Sequence, residues 1–292
     1  MIRAAVRLGD GLLGGRKWLH SVVRKIQLAL IDAGHLKASG DVFQTADGKF
    51  GQGTNKALKS FQRDRKLEIT GVVDRASWSC LEPHLRAALS EQEARTAELL
   101  TDFRGDLDWI HEKEGHRGRP YWPGGQSGIT LDPGVDLGHA DPGMVERLYG
   151  PLLTPPQMAA VCQVCGIRGA AARADLNTSS LLGGIRISMP NAASIMPYAA
   201  WGYWNRIRGR FQALGWQATL PSVQTALLSL AYNRGPANLH LAPLGALLES
   251  CEWSGAAARI AAMQQNHELE GIRSRRREEG LLIEAELEFL TS

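Results

Sequence analysis

The sequence predicts a mainly α protein: a small three-helix module, then a larger, mostly helical lobe carrying one short β-ribbon. Three observations lead there. Apolar residues recur at helical spacing in residues 19–38 and again after Thr54. Phe103, Leu107 and Ile110 resume that spacing beyond a charged stretch. Between Gly128 and Leu137 the pattern changes to partial alternation punctuated by Pro133-Gly134, which reads as a ribbon.

At 292 residues the chain is long enough for one large domain or two unequal ones. A hydrophobic content of 44% with 22% charged residues is that of an ordinary globular protein. The charge is uneven. Residues 1–97 hold 16 Lys+Arg against 10 Asp+Glu, and the remainder holds 17 against 20. The basic part favours an anionic polymer or surface, but its excess is too small and scattered to argue for nucleic acid. Four cysteines are too few for a disulfide scaffold, and Cys162 and Cys165 read as small helical residues one turn apart. The amino terminus lacks the apolar core of a signal peptide, and no apolar run is long enough to span a membrane. The expectation is a chain made and held in the cytoplasm, with no stable membrane insertion. Nothing in it demands more than a monomer.

In chain order, Val22, Val23, Ile26, Leu28, Leu30 and Ile31 give residues 19–38 a broad apolar face, and Gly34 ends that helix. Residues 40–53 are turn-rich. Thr54 is the expected cap of a helix running to Arg65 with Ala57, Leu58 and Phe61 inward. A last short helix follows, capped by Asp74 or Ser77. Residues 86–100 lack Gly and Pro and read as a helical linker. The expected division is 1–88 for the module, 89–101 for the linker and 102–292 for the lobe.

Within the lobe, a helix is expected from Asp102 to Glu114, stopped by Gly115. Glu114 falls four residues after Ile110 and seven after Leu107, on the apolar face. A carboxyl held at the edge of a core has its pKa raised by desolvation, which is how a general acid is made. Glu112 falls on another side and reads as solvated. A carboxylate from the ribbon, Asp132 or Asp136, would face it across a cleft, the pairing that glycoside hydrolysis needs. Asp132, before Pro133-Gly134, also fits a turn role. Tyr121 and Trp122 sit in the loop over that cleft, either to stack on sugar rings or to pin the loop. Further helices are expected over 142–149, from Thr154 (as cap) to Leu182 with a break near Gly166, and over 243–249 and 252–266; residues 180–198 are Gly/Pro-punctuated and read as irregular, and 199–214 carry Trp201, Tyr203, Trp204 and Phe211. A helix opening at Pro221 is apolar all round and reads as buried. The Arg run 273–277 reads as solvated ion pairs with Glu278, Glu279 and the linker.

Two family resemblances rest on these residues. Ile26-Gln27, Leu30, Asp47-Gly48-x-Phe50-Gly51-x-x-Thr54, Ala57, Phe61-Gln62, Leu67, Gly71-Val72-Val73, Trp78 and Leu81 resemble the peptidoglycan-binding module of bacterial and phage wall enzymes over residues 18–85. Most are packing and turn positions, and Phe61 and Trp78 read as core. Glu114-Gly115, Thr130 and Gly138-His139, with AYNRG at 231–235, resemble the phage-type lysozymes of glycoside hydrolase family 24. The best-known members carry an Asp nine positions after the Glu, and Pro123 stands there. The Thr130-to-Asp136 spacing instead resembles the pesticin-like branch. The resemblance implies a lysozyme-like α+β catalytic domain in a modular endolysin that hydrolyses the β-1,4 bond between N-acetylmuramic acid and N-acetylglucosamine. It implies Glu114 as general acid, Asp136 with Thr130 positioning the attacking water, Asn233 as a substrate contact or a structural amide, and His139 as a structural hydrogen-bond partner. It implies peptidoglycan as partner, action in the periplasm after release across the inner membrane, and no cofactor or metal.

Rival chemistries are weaker. His111, Glu112 and His116 suggest a zinc motif, but their spacing with Gly115 between does not put both rings on one helical face. No nucleophile elbow is present. Two alternatives stay open: lytic transglycosylase chemistry on the same bond, and a non-catalytic wall-binding protein.

Overall fold

The computed structural model describes residues 1–40, 42–235 and 239–292. Its helices are α1 His20–Asp32, α2 Val42–Thr45, α3 Gln52–Asp64, α4 Arg75–Leu99, α5 Leu107–Glu114, α6 Pro142–Tyr149, α7 Pro155–Gln163, α8 Gly169–Thr178, α9 Ser180–Gly183, α10 Met189–Arg210, α11 Pro221–Arg234, α12 Gly245–Glu249, α13 Trp253–Ala262 and α14 Glu270–Thr291. Two antiparallel pairs complete it: β1 Val6–Arg7 with β2 Val72–Val73, and β3 Thr130–Leu131 with β4 Val135–Asp136. This is the mainly α architecture with a small ribbon that the periodicity predicts.

The chain divides into two compact units, Met1–Ile110 with Tyr203–Ser292, and His111–Gly202. These cuts differ from those expected at residues 88 and 101. Residues 75–99 form a single helix, so the module's last helix and the expected linker are continuous.

In the first unit two buried glutamines organise the turns of the module. Gln27, 2% exposed, donates to Asp47 Oδ1, the Lys49 carbonyl and Thr54 Oγ1, and accepts from Gly48 N–H at 2.8 Å. Gln62 does the same for the next turn, donating to the Val72 carbonyl and accepting from Gly71 N–H at 3.0 Å. A buried amide is tolerated only when its donors and acceptors are matched, and these are. Thr54 is thereby taken up by Gln27 rather than capping; α3 begins at Gln52, after Gly51. Asp74 does cap α4, accepting from Ser77 N–H at 2.8 Å. Phe61 and Trp78 are buried, as core residues.

Elements remote in sequence close this unit. Residues before α1 supply β1 and bury Ile2, Ala4 and Val6. Trp78 Nε1 donates to the Ala4 carbonyl at 2.9 Å, and its ring meets that of Phe289 on α14 edge to face at 6.3 Å. Residues Ser222 to Ala231 of α11 are all buried. The Arg run departs from expectation. Arg275 and Arg276 are buried, with Arg276 Nη2 2.6 Å from Glu279 Oε1 and Ser229 also bound to Glu279. Helical spacing turns these two arginines toward α11, leaving Arg273 and Arg277 to pair with Glu270 nearer solvent.

In the second unit Ile129, Leu131, Val135 and Leu137 of the ribbon pack with residues of α6, α7 and α8 and with Leu182, Ile185, Ala192 and Ile195. Thr154 caps α7 through a reciprocal box with Gln157. The stretch expected to be irregular is helical from Met189: Pro190 lies in the first turn, where a missing N–H costs nothing, and Pro197 is carried inside the helix. Among the described residues no helix is long and apolar enough to cross a membrane.

Candidate active site

Glu114 is the last residue of α5. Asp102 has a left-handed φ of +61°, so the helix cannot start there; it starts at Leu107, with the Asp106 carboxylate accepting from Trp109 N–H at 3.1 Å. The buried face is Leu107, Trp109, Ile110 and His111. Glu114 lies beyond it and is exposed, so the core-edge burial expected for this carboxylate is not found. Gly115, at φ +78°, turns the chain back, and this brings the rings of His111 and His116 edge to face at 5.8 Å despite their spacing. Among the described residues no group of His, Cys, Asp and Glu has the arrangement of a metal site.

The ribbon supplies the other groups. Thr130 pairs directly with Asp136, and Leu131 with Val135, with the turn closed by Gly134 N–H to the Leu131 carbonyl at 2.8 Å. On its other edge Thr130 exchanges both backbone hydrogen bonds with Tyr121, at 2.7 and 3.1 Å. Tyr121, Thr130 and Asp136 therefore form one cross-strand row, and directly opposed residues project from the same face. Asp136 is half-buried and fixed: Oδ1 accepts from Gly128 N–H at 2.9 Å and Gly138 N–H at 2.8 Å. A Cβ on Gly128 would stand 2.2 Å from the Gly138 nitrogen and 2.5 Å from Asp136 Oδ1, so this clasp requires glycine. Thr130 Oγ1 is buried and has no hydrogen-bond partner among the described residues. Such a hydroxyl costs about 1–3 kcal/mol unless something else satisfies it.

Asp132 is engaged differently. It is 2% exposed; its Oδ2 lies 3.0 Å from His116 Nδ1 and accepts from Gly118 N–H at 2.5 Å. Its carbonyl accepts from Tyr149 Oη at 2.8 Å. It ties the loop after Glu114 to the ribbon turn.

Tyr121 reports on the whole group. Burial pushes its phenol up; Arg117 opposes that, and the carboxylates of Asp132, Glu114 and Asp136 add to it. Glu114 and Asp136 thus both act on one phenol. The Arg117 guanidinium lies 4.1 Å over the Tyr121 ring. Trp122 is pinned by its Nε1 donating to the Ser127 carbonyl at 3.0 Å, and Arg173 lies 5.5 Å from its ring. Both aromatics line a groove of ≈ 580 Å³. His139 is exposed rather than a structural partner, since the helical turn Leu137–His139 directs Leu137 inward. Asn233 belongs to the other unit, near the end of α11, where its Oδ1 is buried with no hydrogen-bond partner among the described residues. Sequence reasoning missed Gly128, whose signal is its position two residues before Thr130, and the arginines around Tyr121 and Trp122.

Residues 20–81 match the family model described as "Putative peptidoglycan binding domain". This chain is similar to that family over the module alone. Among solved structures, the chain is similar to one titled "Crystal structure of Burkholderia AP3 phage endolysin", at 18% identity over 99% of both chains with a TM-score of 0.21. At that score the two chains do not superpose as wholes. No curated protein has significant similarity to the chain.

Proposed function

We propose that the chain is a modular endolysin in which the amino-terminal module binds peptidoglycan and the residues around Glu114 hydrolyse the bond between N-acetylmuramic acid and N-acetylglucosamine. The peptidoglycan-binding match over residues 20–81 supports the wall as partner. The observation that carries the chemistry is the Thr130–Asp136 pair: a fixed carboxylate directly across the ribbon from a buried hydroxyl that lacks a hydrogen-bond partner among the described residues. Asp136 holds two amides through Oδ1, which leaves Oδ2 to orient a water with the Thr130 hydroxyl. Glu114, at the end of α5, protonates the leaving oxygen. Water attacking from the far face of the sugar implies inversion at the anomeric carbon. Tyr121 and Trp122 bound the path of the substrate. The lobe works without cofactor or metal as a monomer, in the periplasm, after release across the inner membrane.

The test is mass spectrometry of fragments released from purified peptidoglycan by wild type and by Glu114→Gln. Reducing muramic ends from wild type alone support the reading. Anhydro-muramic ends assign a transglycosylase instead, free stem peptides overturn glycosidase chemistry, and no product from either protein leaves a wall-binding protein.

A further inference from the structure

Resting on the wall-hydrolase reading, we propose that the groove beside Tyr121 and Trp122 binds the carboxylates of the stem peptide that branches from the glycan. The unit His111–Gly202 contains seven Lys+Arg and seven Asp+Glu, so it is neutral as a whole. Four of those cations, Arg117, Arg119, Arg173 and Arg186, line this one groove, and no carboxylate does. None of the four is ion-paired to a carboxylate among the described residues. Gathering like charges in a concavity costs energy unless an anion is received there.

The arginines are also held in a way that suits carboxylates. The Arg117 and Arg173 guanidinium carbons lie 4.1 and 5.5 Å from the ring centroids of Tyr121 and Trp122, cation–π contacts that leave the N–H groups for bidentate bonding. Arg186 is set by its Nη1 donating to the Gly183 and Ile185 carbonyls, each at 2.7 Å. The volume of ≈ 580 Å³ suits a short peptide carrying more than one carboxylate rather than a single small ion. Its location decides the occupant. Tyr121 is at once a wall of the groove and a member of the row with Thr130 and Asp136. A glycan strand lying at that row presents its side branch to the arginines, and the side branch of peptidoglycan is an acidic peptide.

The experiment uses full-length protein and three soluble probes: glycan strands with intact stem peptides, the same strands with their carboxylates amidated, and strands stripped of peptide. Wild type should bind intact strands about tenfold more tightly than either of the others. Arg119→Gln/Arg173→Gln should bind all three alike, at the affinity of wild type for stripped strands. Equal binding of the three probes by wild type, or a preference retained in the double variant, overturns the proposal. So does displacement of intact strands by phosphatidylglycerol vesicles but not by free stem peptide, which would assign the groove to lipid phosphate. Release of reducing muramic ends from stripped strands is followed in parallel. If neither protein releases any, the hydrolase reading fails, and the binding preference stands or falls by itself.

Discussion

Thr130 and Asp136 face each other directly across the ribbon, and the Asp136 carboxylate is clasped through one oxygen by the amides of Gly128 and Gly138. Asp136→Asn can keep both of those bonds through its amide oxygen while losing the charge. It should therefore fold normally and lose about 10²–10⁴-fold in turnover of purified peptidoglycan. Asp132→Asn should act in the opposite sense. It weakens the tie to His116 and Gly118, lowering thermal stability more than the chemistry. Retained turnover in Asp136→Asn together with loss in Asp132→Asn would move the water-positioning role to Asp132.

Gly128→Ala tests the clasp itself. The added methyl cannot coexist with the Gly138 amide and Asp136 Oδ1 where they stand. Overpacking of this kind costs about 1–3 kcal/mol. Because the carboxylate is what must move, turnover should fall well beyond what the loss of stability explains, with circular dichroism unchanged at low temperature. Normal turnover would show that the position of Asp136 is not critical.

Stability should depend on pH through Asp106. Burial opposes its ionisation, but the Lys25 ammonium at 2.6 Å, the Ser21 hydroxyl and the Trp109 amide outweigh it and hold the carboxyl below its usual value. A depressed folded pKa gives stability that is present above the unfolded value, near pH ~4, and is lost as pH falls through the folded one. Asp106→Ala should cost about 3–5 kcal/mol at neutral pH, because it strands the buried Lys25. Denaturant titrations from pH 7 downward should show a smaller acid-induced loss in that variant than in wild type.

Two helical glycines should respond with opposite sign to alanine. At Gly280 of α14 a Cβ would lie 2.7 Å from the Ala257 carbonyl oxygen and 2.9 Å from Ala261 Cβ, so α13 and α14 would have to separate. The overpacking cost of about 1–3 kcal/mol exceeds the gain of up to about 1 kcal/mol in helix propensity. At Gly202 of α10 a Cβ meets nothing within 4 Å, so only the gain remains. Thermal melts should place Gly280→Ala below wild type and Gly202→Ala above it.

What was legible in the sequence was local. Asp74 and Thr154 carry the cap chemistry that begins α4 and α7, and Gly134 marks the ribbon turn between Thr130 and Asp136. What was hidden depends on partners far along the chain. Val6 pairs with Val73, so no local pattern announces β1. Arg275 and Arg276 look solvated until α11 supplies Ser229 and Glu279 closes the pair. The periodicity that placed Glu114 on a buried face assumed that Phe103 and Glu114 share a helix, and the left-handed Asp102 with a late start at Leu107 breaks that assumption. The groove arginines escaped notice because they come together from 117–119, 173 and 186, three segments with no common motif.

The contact between Trp78 and Phe289 bears on synthesis. The ribosome delivers Trp78 well before Phe289, yet the two rings meet in one unit, with residues 111–202 translated between them. The nascent module must wait, its Trp78 uncovered on that side, until α14 emerges. A fragment cut at residue 88 would keep that gap permanently, so the excised module should need a supplied α14 peptide to remain monomeric at high concentration.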